Sequence, residues 1–265
     1  MTLYQKLRWL TRMGVDETIS ETAINRLKKQ EKNTISVLPT QQNNMPAKPS
    51  TPIDTTVQMA VMVAESATDV TSLSNLLSTF DAATLKKTAA NTVFARGTTS
   101  APLMIIGDMP EASDDLAGLP FTGESGELLT KMMAGIGLNI ETDCYLTTLI
   151  PWRAPGGRKP TAAETAYCLP FLKRHIELVK PRFILLFGAS TCGALLGIDS
   201  LSRARGTFHA YQSEKLSAPI MMTATFSPAY LLKNQTHKKY AWEDLKRLKA
   251  KMSESEDESK NDSWK

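Results

Sequence analysis

Four short runs, "LMII" (103–106), "YLTTLI" (145–150), "FILLF" (183–187) and "PIMMTA" (219–224), are nearly all apolar and recur along the chain from residue 103 onward. A strand that is apolar on both faces must be covered on both faces, which is the situation of a parallel sheet inside an α/β fold. The stretches between the runs carry the complementary pattern. Leu128, Leu129, Met132, Met133 and Ile136 repeat at helical spacing, and so do Leu169, Leu172, Ile176 and Val179. Pro160 and Thr161-Ala-Ala-Glu164 open the second helix with a capping box, in which hydroxyl and carboxylate satisfy free N–H groups. "GASTCGALLG" predicts a short helix that leaves the third run and stops at Gly197. Alternation of this kind predicts a three-layer α/β/α sandwich around a four-stranded parallel sheet. Ligands of such sheets sit beyond the carboxyl ends of the strands, so the residues after each run form the candidate site.

The α/β domain is assigned to residues 80–252. Ahead of it, residues 1–31 read as a helical segment, with Leu3, Leu7 and Leu10 on one face. Residues 32–57 hold four prolines among Thr, Asn and Gln and read as a flexible linker. Residues 58–79 read as helical in two pieces. Residues 253–265, with five acids against two lysines, read as a disordered acidic tail. Setting that tail aside turns the net charge of +4 into +7 for residues 1–252, a mildly basic body that permits a nucleic-acid partner. Cys144, Cys168 and Cys192 form no C-x-x-C pair, which excludes a disulfide framework and a zinc ligand set and fits reduced thiols in a cytoplasmic protein. No apolar run approaches ~18 residues, so no membrane partner is expected.

The ends of the runs are unusual. After the first comes Gly107 to Leu129, with Asp108, Glu111, Asp114 and Asp115 on one loop and Phe121 among glycines. It reads either as a solvated acidic loop with turn glycines or as a site built around an aromatic. After the second comes "PWRAPGGRKP", where Trp152, which reads as exposed, stands among Arg153, Arg158 and Lys159. Basic residues interleaved with an aromatic suit phosphates and a stacked base, and a solvated turn is the alternative. The fourth run ends in "TFSPAYLLK". No phosphate-binding glycine loop, H-E-x-x-H or G-x-S-x-G motif is present.

The ordered series "GDMP", "GLPFTGESGELL", "TLIPWRAPGGRKPT", "PRFILLFGA" and "TFSPAYLLK" resembles the uracil-DNA glycosylase superfamily, closest to its type-4, iron–sulphur branch. The resemblance runs from about Phe80 to Lys249 and leaves residues 1–79 outside. It implies an α/β/α sandwich with a four-stranded parallel sheet. It also implies that Asp108, with Met109 and Pro110, matches the family's G-E-A-P-G loop, whose acid positions the attacking water. Phe121 matches the phenylalanine that stacks on the flipped base. Thr148 stands where the family has an asparagine that reads the uracil edge, and Ser227 where it has a histidine that stabilises the departing base. Pro228, Ala229, Tyr230, Leu231 and Lys233 match the loop that enters the DNA minor groove, with Tyr230 and Leu231 as its wedge. The four cysteine positions of the family's cluster fall on Phe80, Ala83, Trp152 and Cys168, so a 4Fe–4S cluster is expected to be lost and no cofactor to remain.

The function implied is that of a DNA glycosylase that hydrolyses the N-glycosidic bond of uracil, or of a related deaminated base, and so initiates base-excision repair. The alternative is a catalytically impaired protein of this fold that binds DNA or a repair or replication partner. Asp108 and Ser227 are the expected catalytic residues. Met109, Pro110, Phe121 and Thr148 are expected to hold the base, and Arg153, Arg158 and Lys159, with residues 228–233, the DNA. A monomer is expected, with the N-terminal segment as the candidate arm for a protein partner.

Overall fold

The computed structural model describes residues 52–81 and 84–262. The expected helix at 1–31, most of the linker at 32–57, the cluster position Ala83 and the last residues of the tail lie outside the described residues. Two helices come first, α1 (Pro52–Glu65) and α2 (Val70–Thr79). Helix α1 thus begins within the stretch read as linker, where Pro52 opens it, a residue pre-set for the first turn of a helix. Asp69 caps α2 by accepting from Ser72 N at 2.8 Å, while Ser72 Oγ accepts from Asp69 N at 3.0 Å.

The sheet and its crossovers follow in chain order. They are β1 (Ala95–Gly97), β2 (Leu103–Gly107), α3 (Ala112–Ala117), α4 (Gly123–Gly135), β3 (Cys144–Thr148), α5 (Ala162–Val179), β4 (Phe183–Phe187), α6 (Ala189–Leu196), β5 (Phe208–Tyr211), β6 (Ile220–Thr225), α7 (Pro228–Lys233) and α8 (Lys238–Asp262). The sheet order is β1-β3-β2-β4-β6-β5. The four apolar runs form the parallel centre, β3-β2-β4-β6. The four-stranded sheet is corrected to a mixed sheet of six: β1 pairs antiparallel with β3, and β5 antiparallel with β6. Both additions are short edge strands, partly exposed, and an edge strand needs no continuous apolar run.

Successive side chains of the central strands divide between two cores. Met104, Ile106, Ile184 and Leu186 face one that includes Leu73, Leu77 and Ile176 from α2 and α5. Leu103, Ile105, Phe183 and Leu185 face the other, with Leu129 and Met133 of α4 and Leu245 and Leu248 of α8. Three layers result. The capping box holds as read: Thr161 Oγ1 accepts from Glu164 N at 3.2 Å and Glu164 Oε2 accepts from Thr161 N at 2.7 Å. Helix α6 ends at Gly197, in the left-handed conformation at φ +68°. Helix α8 continues through Asp262, so the segment read as a disordered tail is helical as far as it is described. Nothing in "SESEDESKND" breaks a helix, and Lys251 pairs with Glu254 one turn on. Among the described residues no helix is long and apolar enough to cross a membrane.

Candidate active site

Beyond the carboxyl ends of β2, β3, β4 and β6 lies a cleft of about 690 Å³, lined by Asp108, Phe121, Thr148, Phe187 and Ser227 among others. Gly107 ends β2, and a Cβ there would stand 2.9 Å from Phe121 Cζ and 3.6 Å from Thr148 Cγ2. Its absence lets the phenyl ring lie against the strand end. Phe121 itself has φ +56°, a left-handed conformation that costs a non-glycine residue about 1–3 kcal/mol. Its carbonyl seats so close to Gly126 that a side chain at 126 would collide with it, and its ring meets Phe187 edge-on at 5.9 Å.

The loop that holds Phe121 is anchored by its own acids. Asp114 accepts from Thr122 N at 2.6 Å, Thr122 Oγ1 at 2.7 Å and Glu111 N at 2.9 Å. Asp115 accepts from Ala90 N and Asn91 N, and Glu111 from Ser125 Oγ at 2.8 Å. Asp114 and Asp115 are buried, so the solvated acidic loop is not what forms. These carboxylates are clamps that offset the strain at Phe121.

Asp108 differs from them. Its Oδ1 accepts from Thr191 N at 2.8 Å and Thr191 Oγ1 at 2.5 Å, in the first turn of α6. Gly188, at φ +106°, precedes that turn, and a Cβ there would collide with the Asp108 carboxylate. The helix start therefore holds Oδ1, while Oδ2, the carboxylate atom nearest Gly188, makes no hydrogen bond among the described residues. Negative charge is favoured at a helix N-terminus. Thr191, which the sequence reading did not single out, is legible only as a donor near the start of the "GAST" helix.

Thr148 ends β3, and its hydroxyl donates to Ile150 O at 2.8 Å. Ser227 caps α7 by accepting from Tyr230 N at 3.3 Å, which leaves its O–H proton available. Met109, Pro110, Pro228, Ala229, Arg153 and Lys233 also border the cleft.

Several expected site residues stand elsewhere. Arg158 does not face the cleft: its guanidinium binds Glu164 twice, at 2.8 and 2.6 Å, because Glu164 is the buried end of the α5 cap. That pairing, aided by Thr161 N and opposed by burial, brings the Glu164 carboxyl down to about 2. Lys159 is exposed on the same turn without lining the cleft. Trp152, expected at the surface, is 1% exposed and donates from Nε1 to Thr92 Oγ1 at 2.9 Å. The two expected wedge residues, Tyr230 and Leu231, stand apart: Tyr230 is exposed and Leu231 is not. Leu231 is buried with Pro228, three residues before it, while Leu232 faces the cleft beside Ala229. Tyr230 stacks on Phe226 at 5.1 Å and its hydroxyl meets His237 Nδ1 at 2.8 Å.

A carboxylate, an aromatic ring and two hydroxyls thus meet beyond the carboxyl ends of the parallel strands. Residues 94–246 match the model of the uracil DNA glycosylase superfamily. The chain is 32% identical to the type-4 uracil-DNA glycosylase of Saccharolobus solfataricus over 175 residues, 64% of this chain and 80% of that one. To the enzymes of the same name from Pyrobaculum aerophilum and Archaeoglobus fulgidus it is 31% and 33% identical, over 62% and 56% of this chain and 85% and 75% of theirs. The chain belongs to the uracil DNA glycosylase superfamily, and its activity is that of a uracil-DNA glycosylase, a hydrolase of N-glycosyl bonds. The impaired alternative is not indicated by these relatives.

The relatives also overturn the expectation of a chain without cofactor. All three are type-4 enzymes, the iron–sulphur branch, and so point to a 4Fe–4S cluster. Of the cluster positions drawn from the resemblance, the described ones present a single thiol. Cys168 is buried with Phe80 and Trp152 in one apolar core, and Phe80 meets Phe171 edge-on at 4.9 Å. Burial pushes the Cys168 thiol well above its usual range. Cys144 and Cys192 are raised to about 12 by burial as well. Among the described residues no three His, Cys, Asp or Glu side chains are grouped to hold a metal. These side chains do not fit a cluster, and no catalytic step is routed through one.

Proposed function

We propose that this protein excises uracil, or a related deaminated base, from DNA by hydrolysing its N-glycosidic bond, the first step of base-excision repair. The observation that carries the reading is the meeting of Asp108, Phe121, Thr148 and Ser227 in one cleft. A base inside a duplex is out of reach, so the nucleotide turns out of the stack and its base lies on the Phe121 ring. Arg153 and Lys233 at the rim take the flanking phosphates, and Leu232 with Ala229 fills the space the base has left. As the bond from C1′ to the base breaks, its electron pair goes to the base, and the Ser227 hydroxyl donates to the carbonyl oxygen where charge collects. Asp108 Oδ2 orients a water whose oxygen bonds to C1′ and takes the proton the water gives up. A monomeric, cytoplasmic enzyme with a repair or replication partner on its N-terminal segment belongs to the same reading.

Single-turnover incubation with a uracil-containing oligonucleotide, followed by alkali, tests it. Strand scission at the uracil is expected, and Asp108→Ala is expected to abolish it. Scission no greater than that of Asp108→Ala overturns the reading.

A further inference from the structure

Beside the cleft stands a ladder of aromatic rings that the proposed excision does not use. Phe226, Tyr230 and His237 lie with their planes within 16° of parallel and their centroids 5.1–5.5 Å apart. Tyr240 follows, tilted, 5.9 Å from His237. None of the four rings lines the cleft, but Lys233 does, and Tyr230 is its neighbour three residues back on α7. Tyr230 and Tyr240 are 38% and 42% exposed.

The rings are held in place by their own contacts. The Tyr230 hydroxyl is hydrogen-bonded to His237 Nδ1 at 2.8 Å. The Arg205 guanidinium bridges Phe226 and Tyr240, 5.3 Å from each centroid. Asp244 fixes that guanidinium by accepting from it twice at 3.0 Å, and Tyr240 O accepts from it at 2.8 Å. Rings fixed in this way lose little freedom when a ligand lies on them. The charge around them has one sign. From Phe226 to Trp242 the chain has Lys233, Lys238 and Lys239 and no acid. All three lysines are exposed, and among the described residues none is in an ion pair. Lys239 Nζ lies 4.9 Å from the Tyr240 centroid. Exposed rings interleaved with free cations suit a strand whose bases are unpaired: the rings take base faces and the lysines take phosphates. An acidic peptide would pair with the lysines and leave the ring faces unused.

We propose that Tyr230 and Tyr240, with Lys233, Lys238 and Lys239, form a second DNA contact beside the cleft, a platform on which unpaired bases of a single strand stack. The inference extends the proposed excision and rests on it for DNA as the partner. A strand that has placed its uracil in the cleft continues past Lys233 onto these rings.

The test is fluorescence anisotropy of the full chain with two labelled probes that contain no uracil, a thymine strand and a strand of equal length made of abasic sites. The phosphates are the same, so the difference reads the bases. The thymine strand is expected to bind about tenfold tighter. Tyr230→Ala and Tyr240→Ala are each expected to lose most of that difference, and Tyr240→Phe, which keeps the ring, to retain it. Lys238→Ala and Lys239→Ala are expected to weaken both strands alike and to reduce the salt slope by about 0.7 each. If an alanine variant does not fold, as judged by its melting curve, ultraviolet cross-linking of the wild type to the thymine strand decides. Adducts on Tyr230 or Tyr240 are expected, and adducts confined to residues of the cleft overturn the proposal. Equal affinity for the two strands also overturns it, as does a difference that both alanine variants keep. Uracil excision alongside either result leaves the excision reading standing, whereas base-dependent binding without excision overturns that reading alone.

Discussion

Asp108 sits where two local geometries meet. The chain leaving β2 has to present a carboxylate to the cleft, and the chain leaving β4 has to bring amide donors up to it. Gly188 at φ +106° is the residue that lets the second happen, since any Cβ there would occupy the volume of the carboxylate. Thr191 then gives Oδ1 two hydrogen bonds, so the shorter side chain of aspartate is held at a fixed reach rather than left to rotate. A carboxylate displaced by about 1 Å loses on the order of 10² in rate. Gly188→Ala is therefore expected to lower kcat by about that factor while KM for a uracil oligonucleotide changes little, because the base and phosphate contacts lie elsewhere. Thr191→Ser, which keeps both donors, is expected to retain kcat. A Gly188→Ala enzyme with wild-type kcat would show that the carboxylate does not depend on this anchor. The acid, Phe121 and the two hydroxyls were legible from sequence through the order of the motifs. The anchor was not, because a threonine and a glycine in a helix start carry no chemistry until the fold sets a carboxylate against them.

Elements decide which of several similar residues can act. The loop after β3 offers Arg153, Arg158 and Lys159 in one basic stretch, and on sequence they look equivalent. The α5 cap removes Arg158 from that set, because Glu164 has to be buried to satisfy the helix start and a buried carboxylate needs a cation. Phosphate neutralisation releases counterions, with a slope of about −0.7 in log K against log salt per contact on single strands. Lys233→Ala and Arg153→Ala are each expected to weaken oligonucleotide binding and to reduce the slope by about that amount. Arg158→Ala is expected to leave the slope alone and to lower the melting temperature; a changed slope would put Arg158 back on the DNA. The same logic explains what was legible in the fold. Strands β2, β3, β4 and β6 are buried on both faces, and that burial forces apolar runs. Strands β1 and β5 close the edges, where Arg96 and His209 are tolerated, so no run marks them. In "SPAYLLK" the helical period separates neighbours: Leu231 turns inward, while Pro228, Ala229 and Leu232 meet the cleft. The i, i+3 pairing was the available signal, and reading the segment as an open loop concealed it.

At the scale of the whole molecule, one helix carries much of the response to pH. Helix α5 covers one face of the sheet and brings two titrating groups into the protein. His175 is fully buried, stacked on Phe94 at 4.4 Å and within 2.8 Å of the Tyr145 hydroxyl through Nε2. Burial lowers it from 6.5 to about 3. Glu164, paired with Arg158, falls from 4.5 to about 2. In both cases the unfolded chain binds a proton that the folded chain refuses, so acid favours unfolding. The histidine contribution is intact above pH 6.5 and is lost as pH falls from there toward 3, at up to about 1.4 kcal/mol per pH unit. The glutamate contribution is intact above 4.5 and is lost between there and about 2. Asp244 works the other way: burial raises its carboxyl despite the hydrogen bond from Thr225 and the charge of Arg205, so it takes up a proton in the folded state first and returns part of the loss. The melting temperature is therefore expected to hold near neutrality, to decline below about pH 6.5 and to decline more steeply below 4.5. His175→Gln keeps a hydrogen-bonding group for Tyr145 but cannot ionise. It is expected to melt lower than wild type at pH 7.5 and to show no decline between 6.5 and 4.5, so that the two curves converge in acid. Parallel curves across that window would mean that His175 is protonated in the folded protein, which its stacking on Phe94 within an apolar core opposes.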